Sequence, residues 1–140
     1  MSEESHLSGP RPKHGEFCWA EIATSDLPST KSFFANVFGW QFHAGGAESG
    51  EFQYLEFSSS GQKEPDGGMY ELNPKWFGGT PPPPHIAAYV AVDDVDAAAA
   101  KAVELGGSIP RPPSDIPNVG RMCVIADPSG AAISMVTLLD

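Results

Sequence analysis

A stretch of this chain returns 68 residues later. The run Ile22-Ala23-Thr24-Ser25-Asp26-Leu27 aligns with Val90-Ala91-Val92-Asp93-Asp94-Val95, and Gly39 aligns with Gly107. Each copy reads as an apolar strand, an acidic turn, a helix and a glycine stop. Such a repeat constrains the fold more than any local motif does, because it requires two related supersecondary units. Units of roughly 60 residues are marginal alone, so the two are expected to pack on each other or on a second chain.

The local chemistry fills in each unit. Phe17 to Thr24 alternates as a strand, with Phe17, Trp19, Glu21 and Ala23 on one face and Cys18, Ala20, Ile22 and Thr24 on the other. The second face is expected to meet a helix. Asp26 supplies an N-cap oxygen, Pro28 falls in the first turn where its missing N–H does no harm, and Phe33, Phe34, Val37 and Phe38 follow at helical spacing up to Gly39. Asp94 caps an alanine-rich second helix through Leu105, stopped by Gly106-Gly107.

Further strands are predicted at Trp40 to His43, Phe52 to Phe57 and Gly68 to Leu72, with counterparts at Ser108 to Pro110, Arg121 to Ala126 and Ala131 to Leu138. The order is β-α-β-β-β twice, an α+β chain. The expected organisation is a disordered leader over 1–15, a first module over 16–72, a connector over 73–84 stiffened by four prolines, and a second module over 85–140.

The formal charge is −10 and the eight Lys and Arg residues are scattered, which argues against nucleic acid and anionic membrane as partners. Cys18 and Cys123 sit inside apolar strands, which favours buried free thiols over a disulfide and suits a reducing cytoplasm. The leader has no apolar core for a signal sequence, and no run is long enough to span a bilayer, so the expected setting is soluble and cytoplasmic. No Gly-rich phosphate loop, zinc-spaced cluster or Ser-His-Asp order is found.

Several strings carry a resemblance: Ala23-Thr24-Ser25-Asp26-Leu27, Phe33-Phe34 through Phe38-Gly39-Trp40, Val90 to Val95, Leu105-Gly106-Gly107, and Val119-Gly120-Arg121 leading to Ala126-Asp127-Pro128-Ser129-Gly130-Ala131. In order and spacing they resemble the vicinal oxygen chelate superfamily of glyoxalase, bleomycin-resistance and dioxygenase-like proteins, over Glu16 to Thr137. Trp19, Glu21 and the Phe-Gly-Trp after the first helix resemble a bacterial subgroup labelled hydroxylase or glyoxalase. The resemblance implies two modules that curve a mixed sheet into a cup, one domain in all. It also implies, for metal-dependent members, a His or Gln on the first strand of each module and a Glu on the last.

This chain departs from that ligand set. The first-strand positions fall on Trp19 and Ala87, the second module's Glu position falls on Ser134, and Glu71 is the expected counterpart in the first module. With three of four ligands lost, no metal site and no cofactor are expected. In their place Glu21 is the candidate catalytic residue: it shares a strand face with Trp19, and its repeat counterpart is Tyr89. A carboxyl in an apolar cup has its pKa raised and can serve as general acid or base, with Tyr89 or His85 as partner. The plainer alternative is that Glu21 bonds Tyr89 or pairs with Arg121 and holds the sheet in register.

Candidate ligand-binding residues are Trp19, Glu21, Tyr54, Glu71, Trp76, His85, Tyr89, Arg121 and Ser134. Trp76 stands in the connector as a lid or a docking residue, and Arg121 faces an anionic substrate group or a surface carboxylate. Two functions stay open. One is a small-molecule-binding protein similar to the antibiotic-sequestering members, with aromatic side chains stacking on a flat ligand. The other is a lyase, isomerase or oxygenase using Glu21 or a metal. The resemblance alone implies a homodimer.

Overall fold

The computed structural model describes residues 11–45, 53–59 and 64–139. Among them run β1 (Phe17–Thr24), α1 (Leu27–Phe38), β2 (Gln41–Ala44), β3 (Tyr54–Ser58), β4 (Gly67–Glu71), a 3-10 turn (Pro74–Phe77), β5 (His85–Ala91), α2 (Val95–Glu104), β6 (Ser108–Ile116), β7 (Gly120–Ala126) and β8 (Ala132–Leu138). The order is β-α-β-β-β twice, an α+β fold. Two compact units divide the chain: the first is Ala20–Ala87, and the second joins the segment up to Trp19 with the chain from Ala88 onward.

In the first unit the strands lie in the order β2-β3-β4-β1. β1 and β4 are parallel, with Ile22 opposite Met69 and Thr24 opposite Glu71, while β2-β3 and β3-β4 are antiparallel. Parallel neighbours need a crossover, and α1 begins it. Alternation then sends Ala20, Ile22, Leu55, Phe57 and Met69 toward α1, where they form one core with Leu27 and Phe34. Phe57 is fully buried and stacks on Trp40 at 4.5 Å between ring centres.

The second unit repeats the plan as β5-β8-β7-β6, with β5 and β8 parallel. Val95 and Ala99 of α2 pack on Cys123 and Met135. Both helices start as their sequences require, Asp26 Oδ1 accepting from Ser29 N at 3.1 Å and Asp94 Oδ1 from Ala97 N at 3.1 Å. Gly39 ends α1 at φ 75, in the left-handed region that glycine tolerates.

Three features go beyond the sequence reading. First, Phe33, Val37 and Phe38, which follow at helical spacing, are each half or more exposed, and α1 rests on its sheet through Leu27 and Phe34. Second, β6 continues past Pro110 to Ile116. It pairs only with β7, as an edge strand, and its register shifts fall between Ser108 and Arg111 and between Arg111 and Ser114, where Pro110, Pro112 and Pro113 cannot donate. Third, the end of the expected leader is tied down. Gly15 N donates to Ala91 O at 2.7 Å, Arg11 Nη2 to Leu138 O at 3.0 Å, and Asp93 N to His14 Nδ1 at 2.9 Å. Residues 1–10 and Phe52 lie outside the described residues.

The turn between β7 and β8 is organised by one carboxylate. Asp127 Oδ1 accepts from Ser129 Oγ at 2.7 Å, Ser129 N at 2.8 Å and Ala131 N at 2.9 Å. The Ser129 hydroxyl bond and then the Ala131 amide bond hold this carboxyl below its ordinary range. A folded-state pKa lowered in this way stabilises the fold above the ordinary carboxylate range, near about pH 4, and the stabilisation is lost as pH falls through the folded-state value. Asp127→Asn keeps an acceptor and loses the charge. Urea unfolding at neutral pH is therefore expected to show the variant less stable than the native chain, with the gap closing as pH drops below about 4. A gap independent of pH would remove the charge from the account.

Candidate functional site

The face of the first sheet turned away from α1 is polar. Glu21 lies on β1 opposite Gly68 of β4, and Gly68 lies opposite Glu56 of β3, so two carboxylates flank a residue without a side chain. Tyr54 fills that space. A Cβ on Gly68 would collide with the Tyr54 ring and hydroxyl, and a Cβ on Gly67 would collide on the other face with the Phe57 ring. Each glycine of the pair thus seats one ring of β3. Tyr54 is 6 % exposed, and its Oη donates to Glu21 Oε2 at 2.8 Å. Glu56 is 7 % exposed, and its Oε1 lies 3.7 Å from His43 Nε2, too long for a hydrogen bond.

The corresponding face of the second unit is mostly apolar. Tyr89 pairs with Ser134, and Ser134 with Val124, which places all three on one side. Tyr89, Met122 and Val136 form a buried cluster against which Trp19 packs. Ser134 is buried beside them.

Arg121 does not belong to this face. It alternates with Met122 and Val124 onto the side of Cys123, which packs under α2, and there its guanidinium reaches Asp96 at 2.8 Å and Asp115 at 3.0 Å. The hydrogen bond to Arg121 holds the Asp96 carboxyl below its ordinary range, and the same bond, followed by that to Asp115, raises the guanidinium. Of its two expected readings, the surface carboxylate is the one seen. Tyr54 is a phenol donor to Glu21 that was not among its expected partners.

The pairing also corrects the position assigned to Glu71. Glu21 and Tyr89 are 68 residues apart, and their strand partners Gly68 and Ser134 are 66 apart, so the first-unit counterpart of Ser134 is Gly68. Glu71 sits three residues further on, on the other face of the strand, where its Oε1 accepts from Leu27 N at 2.9 Å, as Thr137 Oγ1 accepts from Val95 N at 3.0 Å in the other unit. The four positions at which the resemblance places metal ligands hold Trp19, Gly68, Ala87 and Ser134. An indole, a hydrogen, a methyl and one hydroxyl do not fit a divalent ion. Among the described residues, no group of three or more His, Cys, Asp or Glu is placed to hold one.

His85 is exposed at the start of β5, its Nδ1 2.8 Å from Pro83 O, and Trp76 lies in the 3-10 turn capped by Asn73. Both cysteines are free. Burial pushes the Cys18 thiol up to about 11 and raises that of Cys123. Sequence reasoning missed Glu56, His43 and Gly68, although the alternation Tyr54-Leu55-Glu56-Phe57 carried the signal that Glu56 shares the Tyr54 face.

The Glyoxalase/Bleomycin resistance protein/Dioxygenase superfamily model matches residues 17–135. The chain belongs to this superfamily. Among curated relatives of this superfamily member, "Putative glyoxylase CFP32" of Mycobacterium bovis is 34% identical over 135 residues, covering 89% of this chain and 48% of the relative. "Anthracycline biosynthesis protein DnrV" of Streptomyces peucetius is 27% identical over 128 residues, covering 86% and 46%. The chain thus spans about half the length of the curated relatives it matches. Methylmalonyl-CoA epimerase from Mycobacterium tuberculosis superposes with a TM-score of 0.64 at 15% identity, covering 96% of this chain and 95% of that one. At that identity the likeness is one of fold.

The bond from Leu27 N to Glu71 gives a direct test of what Glu71 does. Glu71→Ala removes the acceptor at the start of α1 and is expected to lower unfolding stability by about 1 kcal/mol, with Glu71→Gln recovering part of it. Denaturant titration of the two variants reads this, and an unchanged midpoint in Glu71→Ala would return Glu71 to the candidate ligand-binding set.

Proposed function

We infer that this superfamily member binds a small organic molecule without a divalent metal. The observation that carries the reading is the content of the four family ligand positions, Trp19, Gly68, Ala87 and Ser134, which offer a single hydroxyl among them. The faces turned away from the helices support it. One offers Glu21, Tyr54, Glu56 and His43, and the other an apolar and aromatic surface of Trp19, Tyr89, Met122 and Val136. Flat organic ligands are held by such apolar walls with a few polar groups.

A second reading is favoured by the Tyr54–Glu21 hydrogen bond, which orients a carboxylate as a general acid or base needs. On that reading the chain is a lyase, isomerase or oxygenase with Glu21 as its catalytic residue, in keeping with relatives named for a glyoxylase and for anthracycline biosynthesis. Turnover of the bound compound separates the two.

Among the described residues no helix is long and apolar enough to cross a membrane. A cytoplasmic setting, and partners other than nucleic acid and membranes, belong to the proposal and are supported by the two free cysteines and the net charge of −10.

Elemental analysis and native mass spectrometry of freshly purified protein test the main reading. The expected result is no stoichiometric Zn, Mn, Ni or Fe and a small organic adduct on part of the population. A bound transition metal that survives dialysis against a weak chelator would overturn it. A homodimer is also proposed, supported by relatives about twice as long as this chain. Light scattering at micromolar concentration should give twice 14.8 kDa, and a monomer mass would count against it.

A further inference from the structure

We propose that the flank of α1 carrying Phe33 and Val37 is the surface by which two copies of this chain associate, each copy setting its Phe33 against Val37 of the other. It rests on the homodimer proposed above and adds the place and the geometry of the contact.

Phe33 and Val37 stand four residues apart and so lie one above the other on α1, where they are 60% and 55% exposed. Single exposed apolar residues are ordinary on protein surfaces, but these two belong to a larger assembly. The Phe33 ring meets Phe34 edge-on at 5.3 Å between ring centres, Phe34 stacks on Trp40 at 5.4 Å, and Trp40 stacks on the buried Phe57 at 4.5 Å. An aromatic column thus runs from the core of the first unit to its surface and holds the outermost ring in place. Asn36, a polar neighbour on the same turn, is folded back on its own helix, its Nδ2 donating to Ser32 O at 2.7 Å. A side chain already held in place loses little freedom on docking, which favours association through this patch.

The choice of a second copy as the occupant follows from charge. The chain carries 18 acidic residues against eight basic ones, so two copies repel across most of their surfaces. α1 has no acidic residue and a single charge, Lys31, whereas α2, which exposes Val103, carries Asp96 and Glu104. The flank of α1 is therefore a place where like copies approach without setting carboxylates against each other. A twofold axis midway between positions 33 and 37 makes the contact self-complementary, with the ring of each copy on the branched side chain of the other. The curated relatives carry about as much chain again, and a second copy supplies a body of that size.

Light scattering of the full chain at micromolar concentration is expected to give twice 14.8 kDa for the native protein and half that mass for Phe33→Glu and for Val37→Lys, while Val103→Glu on α2 stays a dimer. Mixing Phe33→Glu with Val37→Lys is expected to restore the double mass, because the new carboxylate then faces the new ammonium, a result that a folding defect does not produce. Phe33→Ser and Val37→Ser add no charge and are expected to weaken association at least about tenfold; they decide if the charged variants do not fold. A native dimer that persists in the variants on α1, or a mixture that stays monomeric, would overturn the proposal and leave the homodimer standing. A native monomer would overturn both, and its co-sedimentation with phosphatidylcholine vesicles, lost in Phe33→Glu, would assign the flank to a lipid surface.

Discussion

Everything else in each unit follows from its first and last strands lying side by side and parallel. A chain reaches a parallel neighbour only by a crossover, and the crossover begins with the helix. The last strand then takes hold of that helix at its first amide, through Glu71 in one unit and Thr137 in the other. The first four N–H groups of a helix have no partner within it, so an acceptor fixed to the sheet sets both the height and the rotation of the helix over its strands. Once the helix is fixed, one face of the sheet becomes core. The opposite face is left for other uses.

The two halves have kept and changed different things accordingly. Positions that serve the helix side remain alike: Asp26 and Asp94 both cap, Leu27 and Val95 are both buried, and Ile22 answers Val90. Positions on the other face have parted, with Glu21 against Tyr89, Trp19 against Ala87 and Gly68 against Ser134. Packing against a helix tolerates few changes of volume. A face relieved of that duty accepts changes of charge and size, and this is where the chemistry of the two units diverges.

The same division governs what could be read from sequence. The repeat, the β-α-β-β-β order, the caps and the two faces of β1 were legible because each rests on contacts close along the chain. The length of β6 was not, since its prolines read as a stop and only the edge position lets the strand continue. The pairing of Glu71 with Ser134 failed for a different reason. The offset between the halves falls from 68 to 66 before the last strand, and spacing alone does not show where a loop has gained two residues. The Tyr54 partner of Glu21 was equally hidden, because a hydrogen bond between residues 33 apart depends on that register.

The paired glycines of β4 have a consequence for substitution. Two aromatic rings of β3 rest on them, one per face, and each ring occupies the volume that a larger residue would need. A larger side chain at position 68 would have to displace the Tyr54 ring, and removing Tyr54 would take its hydroxyl from Glu21. The two strands are therefore tied together at this point, and a change at position 68 of β4 calls for a matching change at position 54 of β3.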